Sequence, residues 1–175
     1  MTERELELVP HYNNAKGDYS PLLKPGAFRE WCDLTAIQVP DEVLDAGCGD
    51  GRLLDHINPR RYVGVDYSME RIAKASEKWP DREFIWSPIQ DYTTDEPFGL
   101  VVAVEVLEHL EFPRQVADQL RSLLWPGGRM IATVPVSMPY EAHFHVFDWE
   151  GDVFKLLDPD AVIRDGQNFV AVWYA

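Results

Sequence analysis

The sequence is poor in positive charge. Its 175 residues include 16 Lys and Arg against 30 Asp and Glu, which gives a formal net charge of −14. Such an excess of acid repels nucleic acid and anionic membrane surfaces. We therefore expect a small-molecule substrate as the partner, and neither nucleic acid nor a membrane. The sequence leaves the oligomeric state open.

Cysteine and long apolar runs are also scarce. The two cysteines, Cys32 and Cys48, lack the spacing of a metal or redox site and fit a reducing compartment. No secretory signal is visible, and no apolar stretch approaches the roughly 20 residues that span a bilayer. These absences predict a cytoplasmic protein.

What the sequence does contain is an alternation of apolar strands and amphipathic helices. The strand-like segments are 42–47, 61–66, 83–86, 99–104 and 129–134, and helix-like segments at 51–57, 68–79 and 112–124 lie between them. Apolar strands without polar alternation, separated by helices, are typical of a parallel sheet covered on both faces. The pattern predicts an α/β fold: one Rossmann-like, three-layer α/β/α domain.

The two ends of the chain differ from this central pattern. Residues 1–38 read as an irregular arm followed by a helix, and 40–136 form the regular core. The remainder, 137–175, begins with a loop rich in histidine and aromatic residues, continues with a helix at 149–157, and closes with two strands around 166–168. We expect the last strand to be antiparallel and all three parts to belong to a single domain.

A glycine-rich loop, Asp45-Ala-Gly-Cys-Gly-Asp-Gly51, joins the first strand to the first helix. Glycines allow a tight turn and let a ligand approach the backbone near a helix N-terminus. Asp66 ends the next strand, where a carboxylate can accept hydrogen bonds from a ribose. A nicotinamide site would place its third glycine at position 52, which is Arg52. The loop therefore favours another nucleoside cofactor, and a merely structural turn is the alternative.

Polar residues also follow the fourth strand. Glu105, Glu108 and His109 are spaced i, i+3, i+4, so in a helical turn they share one face. The later segment HFHVFDW, 143–149, lies on the same edge of the predicted sheet and could add a further ligand. Two carboxylates with imidazoles suit Mn²⁺, Fe²⁺ or Zn²⁺, and Mg²⁺ less well. The alternatives are a solvated helix start and a metal-free pocket lined by histidines.

Three segments, VLDAGCGDGRLL, YVGVDYS and LRSLLWPGGRMIATVP, resemble the signature segments of class I S-adenosylmethionine-dependent methyltransferases. The similarity covers residues 40–136 well and implies S-adenosyl-L-methionine as the cofactor. It further implies that the backbone of the glycine loop runs alongside the methionine portion of the cofactor. Asp45 would then lie near the amino group, and Asp66 would bind the ribose hydroxyls. The implied cofactor-binding residues are Asp45, Gly47, Cys48, Gly49, Gly51, Asp66, Tyr67, Ile89, Gln90 and Glu105.

The sequence departs from this family after the third strand. Members commonly have an acid there that holds the adenine amino group, whereas this chain has Pro88. The backbone N–H of Ile89 can still serve, and the side chain of Gln90 or Asp91 could substitute. Tyr67, which follows the ribose acid, is expected beside the adenine.

The segment E-x-x-E-H with a later H-x-F-D-W resembles the metal site of the small-RNA 3′-terminal 2′-O-methyltransferases. A related E-x-x-E-H occurs in the ubiquinone-pathway O-methyltransferases. The resemblance implies four metal ligands, Glu105, Glu108, His109 and His145. Without a metal, His109 or His145 would be the catalytic base.

The resemblance favours O-methylation of a small polar acceptor. Two alternatives remain: an RNA 3′-end 2′-O-methyltransferase, which the net charge opposes, and a cofactor-binding partner subunit without its own catalysis. An aromatic pocket is predicted for the acceptor, and ordinary packing of the C-terminal helix is the alternative. Its expected walls are Tyr140, His143, Phe144, His145 and Trp149, with the arm around His11, Tyr12 and Tyr19 closing over them.

Overall fold

A seven-stranded sheet is the centre of the computed structural model, which describes residue 32 and residues 38–137, 144–166 and 168–175. Its strands are β1 Glu42–Ala46, β2 Arg61–Asp66, β3 Glu83–Trp86, β4 Phe98–Val104, β5 Leu124–Pro135, β6 Ala161–Asp165 and β7 Asn168–Tyr174. Their order across the sheet is β3-β2-β1-β4-β5-β7-β6. The first five strands pair in parallel, and β7 is antiparallel to both β5 and β6. The predicted fold class is confirmed.

Three helices lie in the described part of the chain: α1 Met69–Lys78, α2 Pro113–Ser122 and α3 Glu150–Leu157. The side chain of Ser68 accepts a hydrogen bond from the backbone N–H of Arg71, and this N-cap fixes the start of α1. Proline opens α2, where its missing N–H is not needed. No helix among the described residues is long and apolar enough to cross a membrane.

The core lies on both faces of the sheet. Residues 98–103 of β4 are all buried, which explains why that strand shows no polar alternation. One face packs against α2 and α3, and its largest members include Leu120, Phe147 and Trp173. The other face contains Val43, Tyr62 and Leu100. Helices that follow parallel strands in this way leave the carboxyl ends of β1, β2, β4 and β5 together, and we call this the carboxyl edge.

Two elements differ from the sequence prediction. The segment 51–57 forms only a 3₁₀ turn, Arg52–Asp55, because Gly51 adopts a left-handed conformation just before it. The strand β5 begins at Leu124, five residues earlier than predicted, since Leu124 pairs with Phe98 before an irregularity in β4. The predicted N-terminal arm and its helix lie outside the described residues, apart from Cys32.

Candidate functional site

The glycine loop is held tightly between β2 and the segment after β4. The backbone N–H groups of Gly47 and Cys48 both donate to the carbonyl oxygen of Val65, at 2.7 and 3.1 Å. Gly47 has a φ of 81°, and a Cβ there would lie 2.4 Å from Cγ2 of Val106. No other residue type fits such a position without displacing its neighbour. The loop backbone is therefore a preformed cradle.

Asp66 is fixed at the end of β2 by this loop. Its Oδ2 accepts a hydrogen bond from the N–H of Gly49 at 2.9 Å, and its Oδ1 accepts one from the N–H of Ser68 at 2.8 Å. Burial raises the pKa of the Asp66 carboxyl, and these two backbone hydrogen bonds lower it again in part. Each carboxylate oxygen keeps a free lone pair, so Asp66 can still accept hydrogen bonds from the hydroxyls of a ribose.

Asp45, at the end of β1, has a partner that the sequence analysis missed. The hydroxyl of Tyr62 on β2 donates to its Oδ2 at 2.6 Å, and both side chains are buried. Gly64, in register with Asp45, leaves room for Phe84 and Cys48, because a Cβ at that position would lie 2.7 Å from Cδ1 of Phe84 and 2.9 Å from Sγ of Cys48. Burial raises the pKa of Asp45 to about 7, against the lowering effect of the Tyr62 hydroxyl. The one hydroxyl-bearing residue of β2, Tyr62, was the available signal.

The predicted adenine side of the site lies at the end of β3. Ile89 is buried and opens a 3₁₀ turn, Ile89–Asp91. Trp86, which was not predicted to belong to the site, pairs in register with Asp66. Its indole N–H donates to the carbonyl oxygen of Tyr67 at 2.8 Å, although 59% of the residue is exposed. The indole thus holds the backbone that follows Asp66.

On the acceptor side, Glu105 adopts a left-handed backbone with a φ of 53°. Its N–H donates to the carbonyl oxygen of Thr133 at 3.1 Å, and the Thr133 hydroxyl donates to its Oε1 at 3.1 Å. Burial raises the pKa of Glu105 to about 7. Glu105 precedes the 3₁₀ turn Leu107–His109, so the expected single helical face for all three polar residues does not form.

Glu108 is the least satisfied polar side chain of the edge. The residue is fully buried at 0% exposure, its carboxyl faces that of Glu105, and no N–H or hydroxyl of the described residues donates to either of its carboxyl oxygens. Nε2 of His109 lies 3.7 Å from Oε1 of Glu108, which is too long for a hydrogen bond. Burial and the negative charge of Glu105 raise the pKa of Glu108 well above its usual range.

The loop after β5 reaches the same place through its backbone. The N–H groups of Phe144 and His145 donate to the carbonyl oxygen of Glu108 at 2.9 and 3.3 Å. Nε2 of His145 is buried without a hydrogen-bond partner. Across the described ranges, however, no three His, Cys, Asp or Glu side chains are grouped closely enough to hold one metal ion. The predicted metal site therefore stays a prediction.

The aromatic walls predicted for the acceptor are described only in part. Phe144 and His145 are half-buried, while Trp149 is 66% exposed at the start of α3. Phe112, 50% exposed at the start of α2, is a further aromatic residue of this edge that was not predicted. The other predicted wall residues lie outside the described residues: Tyr140, His143, His11, Tyr12 and Tyr19.

Comparison with known proteins shows which family the chain is similar to. Residues 23–162 match the family model described as a methyltransferase domain. Trans-aconitate 2-methyltransferase of Yersinia pestis (strain Pestoides F) is 27% identical over 111 residues, covering 61% of this chain and 43% of that protein. The Escherichia coli (strain 55989 / EAEC) enzyme is 31% identical over 97 residues, covering 53% and 38%. The chain thus spans less than half the length of these curated relatives.

Solved structures show the same fold. The N-methyltransferase NodS from Bradyrhizobium japonicum WM9, in complex with S-adenosyl-L-homocysteine, has a TM-score of 0.71 at 18% identity and covers 98% of both chains. The 1,6-didemethyltoxoflavin-N1-methyltransferase of Burkholderia thailandensis has a TM-score of 0.73 at 20% identity, covering 97% of this chain and 86% of that one. The resemblance predicted from the sequence is confirmed, and the chain belongs to the class I S-adenosylmethionine-dependent methyltransferases.

Proposed function

We propose that this protein transfers the methyl group of S-adenosylmethionine to an oxygen atom of a small polar acceptor. The supporting observation is the pairing of two half-sites along neighbouring strands of the carboxyl edge. The glycine loop with Asp45 and Asp66 forms one half, and Glu105 with Glu108 forms the other. The buried thiols of Cys32 and Cys48 fit the reducing, cytoplasmic setting predicted from the sequence.

The residues of the first half fit the cofactor. The cradle at Gly47 leaves no space for a side chain, so a ligand meets the loop backbone directly. The Asp66 carboxylate would accept the ribose hydroxyls, and the Asp45 carboxylate would hold the amino group of the methionine portion. When bound, S-adenosylmethionine supplies a methyl group on a positively charged sulfur.

The second half would act on the acceptor. Methyl transfer is an in-line displacement, so orientation of the acceptor oxygen provides most of the acceleration. The oxygen–carbon bond forms as the carbon–sulfur bond breaks, and the hydroxyl proton leaves to a base of the protein. Glu105, with a pKa of about 7, and the imidazole of His109 are both suited to accept that proton near neutral pH.

The predicted divalent metal would hold the acceptor oxygen through Glu105, Glu108, His109 and His145. These side chains are suitable ligands by type, but no group of three is close enough among the described residues. We therefore derive no step through a metal. Turnover that a chelator abolishes and Mn²⁺ restores would establish the metal site, and full turnover in excess chelator would contradict it.

Titration calorimetry with S-adenosylhomocysteine tests the cofactor half. Asp66→Ala removes a charge-assisted contact worth roughly 1.5–3 kcal/mol, so we expect affinity to fall about tenfold or more. Asp81→Ala, at an exposed position, is the matched control and should bind like the wild type. Equal affinity in both variants, or tight binding of NAD by the wild type, would contradict the proposal.

A further inference from the structure

We propose that the acceptor carries an ammonium group, so that the substrate class is a small hydroxy-amine. This inference rests on the proposed function, because it names the acceptor of the same site. It starts from Glu108, whose two carboxyl oxygens are buried and receive no hydrogen bond from a donor in the part of the chain that the structure describes. Buried polar atoms almost always have partners in folded proteins. A ligand with N–H donors would supply them.

The described surroundings of Glu108 contain no lysine or arginine that pairs with it. In the described part of the chain, no lysine or arginine pairs with Glu105 or Glu108, and the one ion-pair contact of Glu108 is His109 at 3.7 Å. Thr133 supplies a single hydroxyl, which is directed to Glu105. The two carboxyls face each other, and among the described residues they receive one hydroxyl group and no lysine or arginine. An ammonium group offers one positive charge and three N–H donors.

The cofactor cannot fill this role. Its sulfonium carries a positive charge but has no hydrogen to donate. Its amino group belongs at Asp45, which lies on β1 within the glycine loop. A second cation is therefore needed on the acceptor side.

Charge also argues against an acid as the acceptor. A carboxylate would bring further hydrogen-bond acceptors, and no donor, to a place that already holds two buried carboxyls. The residues around the site are also acidic: Glu111, Asp148 and Glu150 lie near the starts of α2 and α3. The curated relatives act on trans-aconitate, as their names state, so this chain should differ from them in the charge of its acceptor.

The same edge offers an apolar surface for the rest of the acceptor. Phe112 and Trp149 are 50% and 66% exposed at the starts of α2 and α3, which pack on the same face of the sheet. Aromatic rings of this kind stack on flat apolar groups and attract cations. A hydroxylated aromatic amine therefore combines the features that the edge can recognise.

Three compounds with one skeleton test the inference: tyramine, 4-ethylphenol and 4-hydroxyphenylacetate. They share the phenol hydroxyl and differ in charge, being cationic, neutral and anionic at pH 7. Binding to the protein saturated with S-adenosylhomocysteine should be strongest for tyramine, by about tenfold or more over the anion. Equal or stronger binding of the anion, or binding of none of the three at millimolar concentration, would overturn the inference.

Variants assign the preference to the two glutamates. Glu108→Gln should abolish the advantage of tyramine over 4-ethylphenol, and Glu105→Gln is the second variant should the first not fold. Glu77→Gln, exposed on α1, should keep the wild-type preference. Preference unchanged in both site variants would contradict the assignment. Binding of S-adenosylhomocysteine is measured separately. A protein that does not bind it would contradict the proposed function, whereas a wild type that binds it without preferring tyramine would contradict only the proposal of an ammonium group.

Discussion

Four acidic side chains end strands or follow them at the carboxyl edge, and the cofactor side differs from the acceptor side. Asp45 and Asp66 accept hydrogen bonds from Tyr62, Gly49 and Ser68. On the acceptor side, and within the described ranges, Glu105 accepts one from Thr133 and Glu108 accepts none from an N–H or hydroxyl. The first pair has its hydrogen-bond donors without a ligand, whereas the described residues supply the second pair with only one. The same edge of the sheet therefore holds two different acid pairs. We call Asp45 and Asp66, with their hydrogen-bond donors, the finished side, and Glu105 and Glu108 the unfinished side.

The largest expected effect comes from breaking the finished side at Gly47. Gly47→Ala must adopt a left-handed backbone, which costs roughly 1–2 kcal/mol, and must also crowd Val106, which adds roughly 1–3 kcal/mol. Both the free energy of unfolding in urea and the affinity for S-adenosylhomocysteine should fall.

Gly127→Ala is the matched control for this change. Gly127 also has a positive φ, 89°, but nothing lies within 4 Å of a Cβ there. This variant should show the backbone cost without the crowding and should bind the cofactor normally. Equal losses in the two variants would mean that the cradle is not as tight as the structure shows.

The second prediction removes the unfinished side. Glu108→Leu replaces a buried carboxyl that lacks partners with an apolar side chain of similar size. The free energy of unfolding at pH 8 should rise by about 1–3 kcal/mol, while turnover of the acceptor is lost. Glu77→Leu, on the exposed side of α1, should change neither by a comparable amount. A less stable Glu108→Leu protein at pH 8 would show that the carboxyl is satisfied in solution.

The same carboxyls make the stability of the fold depend on pH. The pKa of Glu105 rises from 4.5 to about 7 on folding, and burial raises the pKa of Glu108 well above its usual range. A raised folded-state pKa contributes stability that is present below the unfolded pKa and lost as pH rises through the folded one. The free energy of unfolding should therefore fall between about pH 4.5 and pH 7, and less steeply in Glu108→Leu. A wild-type profile that rises over this range would contradict the assignment.

The third prediction removes a hydrogen-bond donor from the finished side, so that Asp45 loses its side-chain partner. Tyr62→Phe removes the donor to Asp45, which should cost about 1.5 kcal/mol of S-adenosylhomocysteine affinity at pH 7. Because that hydrogen bond lowers the pKa of Asp45, its loss should move the acid limb of the binding profile to higher pH. Tyr174→Phe, on the exposed end of β7, should leave the profile in place. An unshifted profile in Tyr62→Phe would separate Asp45 from cofactor binding.

The smallest effect on cofactor affinity is expected at Trp86, which lies at the exposed end of the cofactor side. Trp86→Phe removes a neutral, partly exposed hydrogen bond to the carbonyl oxygen of Tyr67. The loss of cofactor affinity should be about 0.5–1 kcal/mol, with no change in the charge preference for the acceptor. Trp125→Phe, near the amino end of β5, is the control. A tenfold loss in Trp86→Phe would mean that the indole contacts the cofactor itself.

The sequence was sufficient for the features that depend on local pattern. The apolar strands, the glycine loop and Asp66 at a strand end all follow from short segments, and the alternation of elements predicts the layers. What was missed depends on register between strands. Tyr62 meets Asp45 across 17 residues, and Thr133 meets Glu105 across 28. Only the strand pairing brings such side chains together.

The acceptor side shows a second reason why residue spacing alone did not predict the structure. The i, i+3, i+4 spacing assumed continuous helix from Glu105 to His109, but a left-handed residue separates the strand from a short 3₁₀ turn. Spacing reports a shared face only where the backbone is regular. The contact of the 144–145 backbone with Glu108 likewise depends on how a loop returns to the sheet.

Trp149 lies so closely over α3 that a Cβ on Gly151 would be 2.2 Å from its ring, yet most of the residue faces outward. An indole in this position is a built-in fluorophore with a defined site and open access to dissolved quenchers. Trp86 is its counterpart on the other side of the edge. With single-tryptophan versions of the protein, iodide quenching could follow the filling of each half separately, without any attached label.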